Sequence, residues 1–425
     1  MSRPADHAVE STPRRERQDP GVTAPRPSAL DGPSRWQLDP TLTFLNHGSF
    51  GSLPHAVALR QQEWRSFIEA SPIERLGRRC TELLAEARGA LARFVGAEAD
   101  DLGFVTNATE GINAVLRSVR LEPGDELLTT DHVYNAVRQT MRHVARAAGA
   151  TYHEIPIDVP LLDAAAVIER IGERLSARTR LLVIDHVTSP TAVVLPVEGV
   201  IQLCAERGVD VLVDGAHAPG MLPLALDELG AAYYAANLHK WVCAPKGAAF
   251  LHVRRDRQRG VHPATISHFL DEGFRREFDW QGTRDITPWL TLPAALEFMD
   301  DQGGGLGWRR VLRHNHAMAT WAHRMLIERL ATEPISPLDG RFLGSMATVP
   351  LPAALQPGDA PQDSFEALQR ELHDRFRIEV PIMSWRGRWH VRISCQVYNA
   401  PEQYERLAEA IDVLARERGR WGSGA

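Results

Sequence analysis

The sequence predicts an α/β protein, in which a large domain with a mainly parallel seven-stranded sheet is followed by a smaller α+β C-terminal domain. Seven short apolar runs rich in β-branched residues are typical of strands, and segments with helical spacing separate them. Such alternation indicates a sheet covered on both faces by helices. Ligands bind such sheets at the carboxyl ends of the strands, so polar residues that end a strand are the first candidates for a site.

The predicted strands are short and are bounded by Gly, Pro and polar turns. They cover residues 102–106, 126–130, 151–157, 180–185, 209–214, 231–237 and 248–253. Beyond about Asp300 the alternation loosens, and a long helix beginning near Trp308 leads to a mixed segment that ends in another helix. We therefore place the large domain at 41–300, with its first part able to pack on the small domain, and the small domain at 301–425.

Residues 1–40 are rich in Pro, Arg, Ser and Asp and have almost no apolar periodicity. Such a segment buries too little apolar surface to offset the entropy lost on ordering. We predict a disordered tail. From Phe44 onward the texture changes to that of a folded domain.

The composition excludes several classes of protein. A net charge of −6 and a hydrophobic fraction of 44% describe an ordinary globular chain that has no basic surface for nucleic acid or an anionic membrane. The four cysteines are scattered, with no metal-ligand spacing. No signal peptide or membrane span is evident, so we expect a cytoplasmic protein without a metal.

Two polar residues at strand ends point to carbonyl chemistry. Asp214 ends the apolar strand VDVLVD, where a carboxylate needs a cationic or proton-donating partner. Lys240 follows the strand that ends in NLHK, and burial lowers the pKa of a lysine and makes it a nucleophile. Asp214 also suits a turn cap, and an isolated lysine in such a place is commonly on the surface. The pair together fits pyridoxal 5′-phosphate (PLP), which needs an acidic partner for its ring nitrogen and an amine for a Schiff base.

A third element is the strand, polar turn and helix start of FVTNATEGINAV. Backbone N–H groups at a helix N-terminus, with the hydroxyl of Thr109, can receive a phosphate dianion. Thr109 also suits the simpler role of an N-cap.

The order of the motifs NATEGIN, DHVYNAV, VDGAHAPG, NLHKW, GTRD and VRIS…YN resembles the class V aminotransferase branch of fold-type I PLP enzymes. The likeness covers roughly residues 42–415, and FLNHGSFG resembles the subgroup similar to isopenicillin N epimerase and cysteine C–S lyases. The resemblance implies the fold of PLP-dependent transferases of type I.

The resemblance also implies roles for single residues. Lys240 corresponds to the Schiff-base lysine and Asp214 to the partner of the ring nitrogen. The other residues expected around the cofactor are His217 near its phenolic oxygen, Ser189, and, at the phosphate, Ala108, Thr109, Asn237 and His239. Thr283 is expected to reach the phosphate of a neighbouring subunit, which implies a homodimer with shared active sites.

Tyr134 falls where relatives place an aromatic ring, usually His, over the pyridine face, and a flat electron-poor ring suits such stacking. A tyrosine packed on the core explains the same position. Arg392 corresponds to the arginine that binds the substrate α-carboxylate, for which its fork geometry is suited; a surface ion pair is the simpler role. Asn46 and His47 are candidates to face the substrate, although a turn accounts for them equally well.

One departure from the family matters for the reaction. Desulfurases carry a nucleophilic cysteine on a loop shortly before the carboxylate-binding arginine, and VPIMSWRGRWHVRIS contains none. Cys395 is the only nearby thiol and suits core packing. Persulfide transfer is therefore disfavoured.

Three reactions on an amino-acid substrate remain. They are β-elimination from an S-conjugated cysteine, inversion at Cα, and decarboxylation or deamination of a cysteine conjugate, in that order of preference by analogy within the family. Lys240 is the expected base, and Tyr134 is the expected second acid or base. A place in antibiotic biosynthesis or other secondary metabolism is compatible with the subgroup.

Other functional classes fit poorly. A dinucleotide-binding enzyme needs GxGxxG between a strand and a helix, and a serine hydrolase needs a GxSxG elbow. Neither stands in a suitable context. A non-catalytic relative is disfavoured because both Lys240 and Asp214 are present.

Overall fold

The computed structural model describes residues 26–302, 307–357 and 364–421. Its strands are β1 Thr43–Phe44, β2 Leu102–Val105, β3 Glu126–Thr130, β4 Thr151–Ile155, β5 Thr179–Asp185, β6 Asp210–Asp214, β7 Tyr233–Asn237, β8 Ala249–Val253, β9 Met346–Pro350, β10 Ile378–Glu379, β11 Ile382–Trp385 and β12 Arg388–Ser394.

The α-helices are α1 His47–Phe50, α2 His55–Glu69, α3 Cys80–Val95, α4 Ala108–Ser118, α5 Asn135–Ala148, α6 Ala164–Gly172, α7 Val197–Glu206, α8 Leu226–Leu229, α9 Phe274–Asp279, α10 Thr287–Leu290, α11 Leu292–Gln302, α12 Trp308–Leu330, α13 Phe365–Phe376 and α14 Pro401–Trp421. Short 3₁₀ turns span Pro33–Arg35, Ala99–Asp101, Arg255–Arg257 and Ala353–Leu355, and a π-helical turn spans Ile73–Arg78.

The large sheet has seven strands in the order β2-β8-β7-β6-β5-β3-β4. Strand β8 runs antiparallel to β2 and β7, and the other neighbouring pairs run parallel. The seven strands predicted from the sequence are these seven, so the mainly parallel sheet is confirmed. Helices cover both faces, because most of the strands offer apolar surface to each side; the edge strand β4 is partly exposed.

A second, three-stranded antiparallel sheet has the order β11-β12-β9. Its core includes residues from α12, α13 and α14. Leu45 packs in the same core, and β1 pairs in parallel with β10 through Thr43 and Ile378. The chain near residue 45 therefore joins the C-terminal part of the molecule before it enters the large sheet.

The segment 26–40 differs from the disordered tail predicted for 1–40; residues 1–25 lie outside the described part of the chain. Trp36 is only 1% exposed and contacts the rings of Phe298 and Tyr398. The backbone N–H of Leu30 donates to the carbonyl of Val397. A single tryptophan creates no periodicity in the sequence, yet its large apolar surface is enough to dock the segment.

An ion pair links helices α3 and α9 inside the core. Arg88 donates to the carboxylate of Asp279, and both side chains are about 2% exposed. Burial raises the pKa of Asp279 to about 6, while Arg88 lowers it.

In the described residues, no helix is long and apolar enough to cross a bilayer.

Candidate active site

A cavity of about 640 Å³ lies at the carboxyl ends of β5, β6 and β7. The strands end there in Asp185, Asp214 and Asn237, which fits the rule that ligands bind parallel sheets at this edge. Ten of the residues singled out in the sequence line this cavity: Ala108, Thr109, Tyr134, Ser189, Asp214, His217, Asn237, His239, Lys240 and Arg392.

Lys240 lies in the turn after β7, with its amine in the cavity. Burial and the nearby charge of Arg392 lower its pKa to about 7, while Asp214 opposes the shift. A lysine with that pKa has a large neutral fraction at neutral pH, and the neutral amine is the nucleophile that Schiff-base formation with an aldehyde requires.

His217 connects this amine to Trp241. The indole N–H of Trp241 donates to Nδ1 of His217 over 3.4 Å, and Nε2 of His217 lies 3.2 Å from Nζ of Lys240. An indole can only donate, so Nδ1 carries the lone pair and Nε2 carries the proton of the neutral imidazole. Burial holds the pKa of His217 well below its usual value, which keeps the ring neutral. Nε2 therefore offers a hydrogen-bond donor to the cavity.

Asp214 is buried at the end of β6 and accepts a hydrogen bond from the backbone N–H of Ala216 over 3.0 Å. Burial raises its pKa, while that N–H group and Lys240 lower it. A carboxylate in such a place meets the needs of a cationic or N–H-bearing heterocycle.

The helix α4 begins at Ala108 and points its N-terminus at the cavity. Asn107, not Thr109, is the N-cap, because its side chain accepts from the backbone N–H of Glu110 over 2.9 Å. Thr109 is therefore not the N-cap, which the sequence had left as an alternative, and it lines the cavity. Asn237 accepts from the backbone N–H of Ala108 over 2.9 Å and so ties the helix start to β7. This end of the cavity is suited to a phosphate.

Arg392 lies on β12 and is buried. Its Nη1 donates to the carbonyl and hydroxyl oxygens of Ser189 over 2.7 and 3.1 Å, and its Nη2 donates to the hydroxyl of Ser49 over 3.2 Å. Its Nε has no partner, and no described carboxylate forms an ion pair with the guanidinium. Burial lowers its pKa to about 10. A buried cation without an anion beside a cavity is a site for a substrate carboxylate.

Tyr134 precedes α5, lines the cavity and is 46% exposed. It is therefore not the core tyrosine that the sequence left as an alternative. His239 and Ser189 also line the cavity; Nδ1 of His239 bonds the carbonyl of Ala248 over 3.1 Å, and burial lowers the pKa of His239 to about 4.

The expectation that Asn46 and His47 face the substrate needs correction. His47 is fully buried behind the lysine, with Nδ1 2.9 Å from the hydroxyl of Tyr398 and Nε2 3.1 Å from the carbonyl oxygen of Lys240. Asn46 donates to Glu379 over 3.0 Å. The residues of this segment that line the cavity are the following ones, Gly48, Ser49 and Phe50.

Thr283 is exposed and does not line the cavity of its own chain. A role at the phosphate of a second subunit stays a prediction.

The four cysteines are buried and none lines the cavity. Burial raises the pKa of Cys395 to about 12, and it raises the pKa of Cys243 further. Both thiols are therefore protonated, and the described cavity contains no sulfur nucleophile.

The donor set of the cavity fits PLP. It joins a neutral amine, a buried carboxylate and a helix N-terminus, which match the aldehyde, ring nitrogen and phosphate of that cofactor. In the described chain, neither Lys240 nor Asp214 forms a salt bridge with another residue.

The comparisons with known proteins agree with this chemistry. The family model for class V aminotransferases matches residues 52–358. This chain belongs to the class V aminotransferase family. It is a PLP-dependent enzyme, and the resemblance seen in the sequence motifs is confirmed.

Two kinds of relative illustrate the likeness. An isopenicillin N epimerase of Amycolatopsis lactamdurans is 35% identical over an alignment of 397 residues, which covers 89% of this chain and 96% of that protein. A probable chloroplastic L-cysteine desulfhydrase of Arabidopsis thaliana is 32% identical over an alignment of 405 residues, which covers 89% of this chain and 84% of that protein.

Solved structures share the fold. A mutant of C-DES with glycine covalently linked to its PLP cofactor has a TM-score of 0.76 at 21% identity and covers 91% of this chain and 99% of its own. A cysteine desulfurase of Thermococcus onnurineus has a TM-score of 0.74 at 19% identity and covers 93% and 100%. The fold is thus that of type I PLP enzymes.

Proposed function

We propose that this chain cleaves the C–S bond of an S-conjugated cysteine by β-elimination, with Lys240 as base and Arg392 as the carboxylate-binding residue. The observation that carries the proposal is the buried, unpaired guanidinium of Arg392 in the same cavity as the neutral amine of Lys240. Together they hold an α-amino acid by its carboxylate and bring a base to its α-carbon.

When bound, PLP supplies an electron sink that acidifies the α-carbon of the amino acid. Lys240 takes the α-proton, and the electron pair left on Cα forms a double bond to Cβ while the C–S bond breaks and its pair leaves on sulfur. Tyr134 has its phenol at the mouth of the cavity and is the proposed donor of a proton to the departing thiolate. The organic product is 2-aminoacrylate, and water hydrolyses its imine tautomer to pyruvate and ammonia.

Lyase chemistry is favoured over persulfide transfer because the described cavity contains no thiol. An enzyme that takes sulfur onto itself needs an accessible thiolate, and Cys243 and Cys395 are buried and protonated. The thiol product must therefore leave into solvent. The cavity lining is partly apolar and includes Met383 and the exposed Phe50, so we expect it to accept a sulfur substituent of moderate size.

Inversion at Cα is the second candidate. It needs a second acid or base on the face of the substrate opposite Lys240, and the phenol of Tyr134 is the group in the cavity that suits it. The relatives named isopenicillin N epimerase support this candidate. Decarboxylation or deamination of a cysteine conjugate is the third; a carboxylate held by Arg392 makes loss of that carboxylate the less favoured course.

The experiment uses the PLP-loaded protein with S-alkyl and S-aryl L-cysteines and with L-alanine. We expect pyruvate, ammonia and free thiol in equal amounts from the cysteine conjugates. L-Alanine serves as the control because it has no leaving group at Cβ. Formation of D-alanine from L-alanine, with no pyruvate from the conjugates, would show that the reaction is inversion at Cα and not β-elimination. Release of CO₂ without pyruvate would select the decarboxylating reaction.

A further inference from the structure

Asp185, the last residue of β5, has no task in the function proposed above. It is only 2% exposed and lines the cavity. Its Oδ2 has no hydrogen-bond partner in the described chain. The backbone N–H groups of Tyr134 and Asp185 lower the pKa of this carboxyl group, but no described cation forms an ion pair with it. An ionised carboxylate that is buried without a cation is strongly disfavoured, so the position needs an explanation.

The sheet places this carboxyl group beside a second one. Asp185 is the register partner of Asp214 on the adjacent parallel strand β6. Register partners in a parallel sheet point to the same face and lie about 5 Å apart between strands. Two negative charges at that separation in a buried cavity repel each other strongly, and two carboxyl groups sharing such a site do not both ionise.

The charged neighbours decide which of the two groups keeps the proton. The N–H of Ala216 and the neighbouring Lys240 lower the pKa of Asp214 and so favour its ionised form. Arg138 is the cation that acts on Asp185, but it is already held by Glu154 over 2.8 and 3.1 Å. Burial and the charge of Asp214 raise the pKa of Asp185 well above its usual value.

We propose that Asp185 is a neutral carboxylic acid in the working enzyme, so that it and Asp214 form a two-carboxyl unit with one negative charge. The proton on Asp185 is a property of this chain. Its effect on the cofactor rests on the proposed role of Asp214 as partner of the ring nitrogen. In that role, Asp185 is a positioning residue that keeps the full charge of the unit on Asp214.

Asp185 can also take over the negative charge of the unit when Asp214 is replaced. If Asp214 is replaced by Asn, the burial of Asp185 is unchanged, but the repulsion that also raises its pKa disappears, and we expect Asp185 to ionise in its place beside a bound ring nitrogen. The variant D214N then keeps an acidic group beside the ring nitrogen, whereas the double variant D185N/D214N has none.

Infrared difference spectroscopy of the PLP-loaded protein at about pH 7.5 tests the protonation directly, since an ordinary Asp is ionised there. We expect wild type to show the C=O stretch of a protonated carboxylic acid, shifted in D₂O, and D185N to lack it. D125N is the matched control. Asp125 is a buried carboxylate that pairs with Arg180, and its own pKa is lowered, so it is ionised and its replacement is expected to leave the band unchanged. A wild-type spectrum without the band, or a D185N spectrum that keeps it, overturns the proposal.

A second measurement tests whether Asp185 takes over the negative charge in D214N. D214N is expected to lose the carboxylic acid band, and D185N/D214N is expected to bind PLP at least about tenfold more weakly than D214N, the size of effect of one nearby charge. Equal affinities of the two variants overturn the proposal. Asn has the size and neutrality of a protonated Asp, so a D185N chain that does not fold would also overturn it. None of these readouts depends on which reaction the enzyme catalyses.

Discussion

The Nζ atom of Lys240 lies 3.2 Å from Nε2 of His217, and the opposite nitrogen of that ring accepts from Trp241. The amine is thus held by a neutral imidazole whose proton points toward it. This arrangement makes Lys240 an acceptor of a hydrogen bond, which is the state of an amine that is ready to attack a carbonyl.

Lys240 is expected to be the residue that binds PLP covalently. The chain contains two lysines, Lys240 and Lys246, so the assignment is a choice between two peptides. Borohydride reduction of the PLP-loaded protein followed by peptide mass spectrometry is expected to find the label on Lys240. K240A is expected to lose the label and the visible absorption band. K246R is the control and keeps both; a label on Lys246 in the wild type contradicts the assignment.

The rate of covalent PLP attachment to the cofactor-free protein is expected to rise with pH. Burial lowers the pKa of Lys240 to about 7, and the neutral amine, which predominates above that pH, is the reactive form. The rate, followed by absorbance, is expected to reach half of its plateau near pH 7. An ordinary lysine would place the midpoint near about 10.4. A midpoint above about pH 9 would show that the amine is not in the environment described here.

Arg392→Ala is expected to lower kcat/KM for an amino-acid substrate by about 10²-fold to 10³-fold, mainly through KM, because a buried charge-assisted contact is lost. Arg392→Lys is expected to restore only part of this loss, since an ammonium cannot make the two-pronged contact. Arg254→Ala is the control, because Arg254 follows β8 at the opposite edge of the sheet and pairs with Asp256. An unchanged KM in R392A would remove Arg392 from the substrate site.

Tyr134→Phe is expected to slow thiol release by about 10²-fold, the usual contribution of a positioned acid, while PLP affinity is kept because the ring remains. The loss is expected to shrink for conjugates whose leaving thiol is more acidic, since such a thiolate departs without help. The measurement compares kcat for S-alkyl and S-aryl cysteines in both proteins. An equal loss for all leaving groups would assign Tyr134 another role.

Asp279→Ala is expected to lower the free energy of unfolding by about 3–5 kcal/mol, because it leaves the charge of Arg88 buried without a partner. Urea denaturation of the two proteins measures the difference. Glu82→Ala serves as the control: its ion pair with Arg79 is solvent-exposed, and little change is expected. A loss in D279A no larger than that in E82A would contradict the buried position of the pair.

Much of the fold and the cofactor end of the site could be predicted from the sequence. Most of the seven strands were recognisable because they are buried on both faces and therefore read as short runs rich in apolar residues. The edge strand β4 is partly exposed. Asp214 indicates the site because it is a polar residue that ends a buried strand. Asn237 also ends a strand, but it was expected at the site from the family resemblance. Asp185 ends its strand RLLVID in the same way, so the same rule applied to every strand would have found it.

The N-terminal part of the site could not be predicted in this way. His47 and Ser49 lie in one short polar turn, and no local pattern distinguishes the residue that faces the cavity from the one that faces the core. The hydroxyl of Tyr398, some 350 residues later, decides the orientation of His47. Trp36 is missed for a related reason, since its partners Phe298 and Tyr398 are distant in sequence.

The position of His47 has a mechanical consequence. Its ring bridges the main chain that carries the reactive amine and a tyrosine in the C-terminal part of the molecule. A shift of the three-stranded sheet, for instance when a ligand engages the guanidinium on β12, would pull on that bridge. Arg392, which binds one end of the ligand, and the backbone of Lys240, which carries the reactive amine, would then move together.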